Sequence, residues 1–476
     1  MLSLRQSTRY VKPLSQQLGS PAFFTQPFSN TTTTLKKAKD GRTKVKGSTR
    51  KNNNNNNNNN NKIKPVSMYC WGTSKKGTIP VQTFPEEGRK HDVNSGSLLN
   101  LDLFKSGTVT DQPTKIDLEK AFGIDNKTVT IRDVVCGPES TGVILSDNTA
   151  FTFGANKNGQ LGHGHKNDVV VPTLLTLPDS SSLCHDKISK IRLGSNFTAI
   201  VDTNNDLYTC GYNGSTLKDG VGCLGHGYFP EEYLDSPTLV ESLVEDGCSV
   251  ADVAVGNAHM VVLTTQGEVL TCGSAQWGRT GNLEAGDQLF LEPVEMLVSE
   301  SDICQIDSGK DFSLALSERD GIVFVWGRNE KGQCGTGSGL SVEMYAMEPM
   351  PVPIEGMLEG RKVVKVSAGH THAAALTDKG ELFVWGMGIH HQPELVTSLI
   401  HTKIVDVKCG KDYTIVVDEE GKIYSFGSGK SGVLGLSSQK KASTPTLIDD
   451  MIGVKISHID AGWNHVACIV EGESIQ

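Results

Sequence analysis

From Tyr69 onward the chain alternates short apolar runs with turns rich in Gly, Asp, Asn and Lys. One recurring run ends in an aromatic residue or cysteine followed by glycine. Its copies are Tyr69-Cys70-Trp71-Gly72, Phe151-Thr152-Phe153-Gly154, Tyr208-Thr209-Cys210-Gly211, Leu270-Thr271-Cys272-Gly273, Phe324-Val325-Trp326-Gly327, Phe383-Val384-Trp385-Gly386 and Tyr424-Ser425-Phe426-Gly427. A second, β-branched run enters a short loop through Gly137, Gly194, Gly256, Gly309, Gly369, Gly410 and Gly462. Six times this second glycine precedes the next first-type glycine by 17 residues, or by 18 from Gly309 to Gly327. Between them lies a hairpin, as in Ala373–Leu376, the turn Thr377-Asp378-Lys379-Gly380, then Leu382–Trp385. Strand-sized runs separated by Asp- and Gly-containing turns predict β-structure. No long segment carries a helical period, so the body reads as all-β.

The two glycine series are out of phase. The chain starts its repeats with an isolated Tyr69-Cys70-Trp71-Gly72 and ends them with an isolated Ile459-Asp460-Ala461-Gly462 followed by Val466–Val470. Joining these halves completes a seventh unit and removes exposed strand edges, as a circular array does. The expectation is a seven-bladed β-propeller closed by pairing of its N- and C-terminal strands.

The repeat resembles that of the RCC1 (regulator of chromosome condensation) family. The residues that carry the resemblance include Gly154-Ala155-Asn156-Lys157-Asn158-Gly159-Gln160-Leu161-Gly162 and Gly327-Arg328-Asn329-Glu330-Lys331-Gly332-Gln333-Cys334-Gly335, with shorter copies at Gly222–Gly227 and Gly432–Gly435. It covers about residues 68–471. Two units depart from it. The step from Gly386 to Gly410 is 24 residues and lacks the Gly-Gln-Leu-Gly segment; the step from Gly72 to Gly137 is 65, with an insertion near Arg89–Gln112. The resemblance implies a non-enzymatic protein that binds macromolecules. Mitochondrial members with an arm and seven degenerate repeats have a similar layout and are tied to mitochondrial ribosome assembly and to a GTPase. The founding member is instead a guanine-nucleotide exchange factor for the small GTPase Ran. Such exchange factors insert a wedge-like element, and none is identifiable here.

Composition adds a division of the chain. The 476 residues carry a net charge of -9, but residues 1–67 hold 13 Lys or Arg against Asp40 alone, and the rest is net -21. Residues 1–67, with ten consecutive Asn from Asn52 to Asn61, read as a disordered basic arm; residues 68–476 read as the propeller. The first twelve residues contain Arg5, Arg9 and Lys12 and no acid, a composition suited to a mitochondrial presequence. The cluster Lys36-Lys37-Ala38-Lys39 leaves nuclear targeting or nucleic-acid binding through the arm open. The acidic body opposes phosphate attraction, so nucleic acid is expected only at the arm. No run reaches the length of a membrane-spanning helix, and a monomer is expected. Eleven Cys without a C-x-x-C pair argue against a disulfide framework.

The loops after the second-type glycines gather on one face of such a ring, where a rigid scaffold presents binding residues. The candidate partner-binding positions are Glu139, Asn196, His259, Asp311, His372, Asp412, Trp463 and His465. In the founding family member acidic and histidine residues of these loops work on the GTPase. The alternative at each position is a side chain that caps its own blade. No catalytic residue, cofactor or metal site is expected. Gly427-Ser428-Gly429-Lys430-Ser431 lacks the first glycine of a phosphate loop. His163 with His165, and His370 with His372, lack a third ligand at a sensible spacing. Cys70, Cys210 and Cys272 read as small packing residues.

Overall fold

The computed structural model describes residues 66–80, 109–124, 129–178, 187–215, 220–227, 232–283, 286–299, 302–337, 346–437 and 439–472. The arm up to residue 65, with its presequence and poly-Asn features, and most of the Arg89–Gln112 insertion lie outside these residues. Val66 and Ser67, counted with the arm on charge alone, already belong to a strand, Val66–Thr73.

Seven antiparallel sheets of four strands form the ring. The first six blades are residues 131–174, 188–239, 250–293, 303–353, 363–395 and 404–447. The seventh joins Lys455–Ala461 and His465–Glu471 to Val66–Thr73 and Val109–Ile116, from the other end of the chain. Its closing ladder runs from Val66 opposite Glu471 to Gly72 opposite His465. The expected closure by both termini is therefore the observed one. Among the described residues helix is confined to Leu118–Phe122, Glu241–Glu245 and short 3₁₀ turns. Among the described residues no helix is long and apolar enough to cross a membrane.

The second strand of every blade is buried along its length, for example Phe312–Ser317 and His372–Thr377. It is covered on both sides by neighbouring blades, which explains why it reads as a continuous apolar run rather than an alternating one. The core is distributed accordingly. Seven hydrophobic clusters occupy the seven blade interfaces. Between the fourth and fifth blades, for instance, Phe312 and Leu314 meet Val366, Ala373, Phe383 and Trp385. Each tryptophan that precedes a first-type glycine also pins its blade to the one before it. Trp71, Trp326 and Trp385 donate from Nε1 to the carbonyls of Val433, Arg279 and Gln333 at 2.8, 2.9 and 2.9 Å.

Strand direction sorts the loops onto two faces. The glycine loops between first and second strands share one face with the connections from third to outer strand. The hairpin turns between second and third strands share the opposite face with the connections to the next blade. The short fifth unit keeps four strands because Met387, at a φ of 57°, turns the chain straight from Gly386 into His390–Leu395.

Candidate functional site

The two glycine series have different physical causes. Each first-type glycine sits at an irregularity of the third strand with φ between 98° and 117°. At Gly327 a Cβ would lie 2.5 Å from the carbonyl oxygen of Asp311, in the glycine loop of its own blade. Both the left-handed conformation and the close approach exclude a side chain. The second-type glycine leaves room for the residue three positions on: a Cβ at Gly256 would meet the His259 ring at 2.1 Å, and one at Gly410 the Tyr413 ring at 2.2 Å.

That third position proves to be a pin between blades. His259, His372 and His465 are all buried. Their Nε2 atoms lie 2.8, 3.1 and 2.8 Å from the hydroxyls of Ser313, Thr414 and Thr141 on the next blade. Tyr413 does the same work by donating to the carbonyl of Gly462 at 2.8 Å. Thr141 donates to the carbonyl of Thr78 (2.7 Å), so it accepts from His465, which assigns the proton of that imidazole to Nε2. Burial holds the three histidines neutral, His259 at about 3 and the other two at about 4. Their side chains present nothing to a partner.

The remaining candidates are spread around the loop ring. Asp311 is buried and paired with Arg279 (2.7 Å) and Arg328 (3.4 Å). Burial alone pushes its carboxyl upward, and the two-sided pull of Arg279 and Lys310 outweighs it, leaving the pKa below the usual value. Glu139 pairs with Lys76 at 2.5 Å. Asn196 ties neighbouring loops by donating to the carbonyl of Asn257 (2.9 Å) and accepting from Asn158 (3.2 Å). Asp412 and Trp463 are half-buried at the rim. Trp463 meets His370 edge-on at 4.9 Å between ring centroids, and the Lys411 ammonium lies 5.4 Å from its ring. The residue immediately after the second-type glycine is half-buried in six blades, and only Pro138 of the first blade is buried. Lys310 and Lys411, which the sequence does not single out as sites, join His370 and Trp463 of the same loops as an arc over four consecutive blades. The signal was present one register earlier: residues at loop apices face out, and those opening the buried second strand face in.

The arc stands at one mouth of a central channel of about 260 Å³, lined by the first strands of all seven blades. Ion pairs link these strands around the channel, Arg192 with Asp252 (3.1 Å), Lys365 with Asp406 (2.5 Å) and Lys408 with Asp460 (3.4 Å), and His458 Nε2 lies 2.9 Å from Asp133. Other suggestive motifs resolve into framework. Gly427–Ser431 leads to another strand, Lys441–Leu447, rather than a helix. His163 bonds the Thr152 hydroxyl at 2.9 Å, and among the described residues no His, Cys, Asp and Glu side chains group to hold a metal. Cys70, Cys210 and Cys272 are buried, and burial raises all three thiols, Cys210 to about 12. The Cys210 and Cys272 thiols point at the carbonyls of Gln160 and Cys223, standing where other blades place the tryptophan pin.

Seven blades headed by glycine loops, with Asn-x-x-Gly-Gln connections at Asn156–Gln160 and Asn329–Gln333, define a propeller of RCC1-type repeats. The chain belongs to the RCC1-like domain family, which matches residues 218–475, and the RCC1 repeat itself matches residues 147–201. Mouse E3 ubiquitin-protein ligase HERC2 is 29% identical over 71% of this chain, which spans 7% of that relative. The secretion-regulating guanine nucleotide exchange factor of Bos taurus is 32% identical over 63% of this chain and 63% of its own. The RCC1 domain-containing mitochondrial protein RUG3 of Arabidopsis thaliana is 26% identical over 96% of this chain and 98% of its own. Among solved structures, Prp20p of Saccharomyces cerevisiae, described with its binding to Gsp1p and histones, has the same fold at a TM-score of 0.68, 18% identity, 87% coverage of this chain and 93% of its own.

Proposed function

We propose that this protein is a non-enzymatic interaction scaffold of mitochondria, serving ribosome assembly or a GTPase partner. The observation that carries the reading is the similarity to a mitochondrial RCC1 domain protein along nearly the whole length of both chains. The acid-free, Arg-containing first twelve residues support the same address. Partner contact falls to the rim residues Glu139, Asn196, Asp412 and Trp463, together with His370 and Lys411. A fusion of residues 1–67 to green fluorescent protein tests the address. Co-localisation with a matrix marker is expected; a nuclear or diffuse signal refutes it.

A second reading, guanine-nucleotide exchange, is favoured by the similarity to the secretion-regulating exchange factor. Exchange requires a surface that binds the nucleotide-free GTPase better than the loaded one. Release of labelled GDP from a panel of small GTPases tests it, with Asp412→Ala and Trp463→Ala as controls on the rim. No acceleration over the panel removes the reading.

A further inference from the structure

The face opposite the glycine loops carries an apolar arc that the fold does not require. From the second blade to the seventh, five connections cross this face, each with one helical turn. Each turn plugs a blade interface with a buried residue: Leu243, Leu297, Leu358, Leu399 and Met451. Packing accounts for these five. It does not account for the next residue, which is Val244, Val298, Glu359, Ile400 and Ile452 in turn. Four of the five are β-branched aliphatics, between 45 and 67% exposed. Met296 and Met357 stand exposed beside the arc, and Val364 and Val405 continue it inward at the starts of the fifth and sixth innermost strands. Single exposed apolar residues are ordinary, but recurrence at one register of four of five successive interfaces, interrupted at Glu359, makes a patch, and patches mark interaction sites.

Charge selects the occupant. Among the described residues the five connections hold nine acidic side chains and three basic ones. Two of the three bases, Arg361 and Lys403, are already paired with Glu381 and Glu419. Hairpin turns of the fourth to sixth blades, on the same face, add exposed Glu318, Asp320, Asp378, Glu419 and Glu420 against exposed Arg319 and Lys379. A second copy of this face meets like charge, and so does an anionic membrane surface. We infer that this face docks a basic amphipathic helix of a partner protein, with aliphatic anchors on the arc and Lys or Arg over the surrounding acids.

This surface lies on the other side of the ring from the glycine loops, so its test is independent of any GTPase. The probe is a fluorescein-labelled 18-residue Leu/Lys amphipathic helix, with a Ser/Lys peptide of equal charge and a Leu/Glu peptide as comparisons. Fluorescence anisotropy with the full chain is expected to show binding of the Leu/Lys peptide, weakened by added salt. Val298→Ser, Ile400→Ser and Ile452→Ser combined should weaken it at least tenfold, about 1.4 kcal/mol. Val171→Ser with Leu174→Ser, exposed on the outer strand of the first blade, should leave it unchanged. All five positions are exposed, so folding is retained, which an unchanged melting curve checks. The inference is overturned if the triple variant binds as the parent does or if the Ser/Lys or Leu/Glu peptide binds equally well. It is also overturned if sedimentation shows that the arc joins two copies of the chain.

Discussion

Replacing His465 with Gln should make the propeller less stable at neutral pH and less sensitive to acid. His465 opens the second strand of the terminal blade, and its Nε2–H donates to Thr141, which donates onward to Thr78. One relay therefore ties the C-terminal strands, the first blade and the segment after the N-terminal closing strand. Its Nδ1 is buried without a hydrogen-bond partner among the described residues. A second proton would sit there uncompensated, and burial accordingly lowers the imidazole pKa from 6.5 to about 4. The unfolded chain takes up that proton near pH 6.5 and the folded one does not. The stability contribution is complete above pH 6.5 and is lost as pH falls toward 4. At pH 5 the loss is 1.5 pH units at about 1.4 kcal/mol each, or roughly 2 kcal/mol for this residue.

His259 and His372, buried in the same register, add similar amounts. The three together remove roughly 6 kcal/mol by pH 5, comparable with the whole stability of many domains. Among the carboxylates, burial raises Asp307 and Asp206, which gain stability as pH falls and do so equally in parent and variant. Asp311 and Asp460 are held below the usual value of 3.8 once Arg279 and Lys408 overcome burial, so their contribution is lost only as pH falls below that value. In His465→Gln the lost hydrogen bond costs about 1 kcal/mol at pH 7.5, but the titration is gone. Urea unfolding followed by tryptophan fluorescence at pH 7.5, 6 and 5 should show the variant below the parent at pH 7.5 and level with it or above it at pH 5. Parallel pH profiles would refute a neutral, buried His465.

Three further outcomes follow from the same geometry. Gly327→Ala combines a φ of 108° with a Cβ at 2.5 Å from a carbonyl; it should cost about 3 kcal/mol or more, read as a lowered melting temperature, whereas Gly247→Ala, with nothing near its Cβ, should cost markedly less. Trp71→Phe removes the bond to Val433 that anchors the N-terminal strand and leaves a buried carbonyl unpaired, a loss of about 1–3 kcal/mol that denaturant unfolding would register. Thiol labelling of the native protein should reach Cys304 and then Cys248 among the described cysteines, while the eight buried ones react only on unfolding, as peptide mapping after brief alkylation would establish.

The fold was legible because its requirements repeat. A glycine excluded from any other conformation at Gly154, Gly327 and five further positions leaves a periodic mark whatever the surrounding sequence. So does a second strand covered on both sides. The closure was legible for the same reason, since an out-of-phase repeat has one completion. The site was legible to the level of the loop and not of the side chain. His259, His372 and His465 carry chemistry attractive to a reader of sequence, yet the requirement that fixes them is a hydroxyl on the next blade. Whether a loop residue turns inward or outward depends on where the buried strand begins, and the difference between Lys411 and Tyr413 is two residues.

That distinction also says where recognition can be sought in a repeat protein. A residue that recurs because the ring needs it carries no information about a partner, however reactive its side chain. Information lies in what remains once those needs are subtracted. On the glycine-loop face the remainder is small and varies between blades: Lys310, His370, Lys411 and Trp463 occupy one register with three kinds of side chain. On the opposite face the remainder is large and nearly uniform, with Val244, Val298, Ile400 and Ile452 exposed beside anchors that already satisfy the packing. A varied arc suits a partner whose own surface varies from point to point, as a folded protein's does. A uniform aliphatic arc ringed by acid suits a repeating pattern of apolar and basic side chains, which an amphipathic helix supplies. On this reading the nine acidic side chains of those connections, against three basic ones, are a term in its recognition rather than a general aid to solubility.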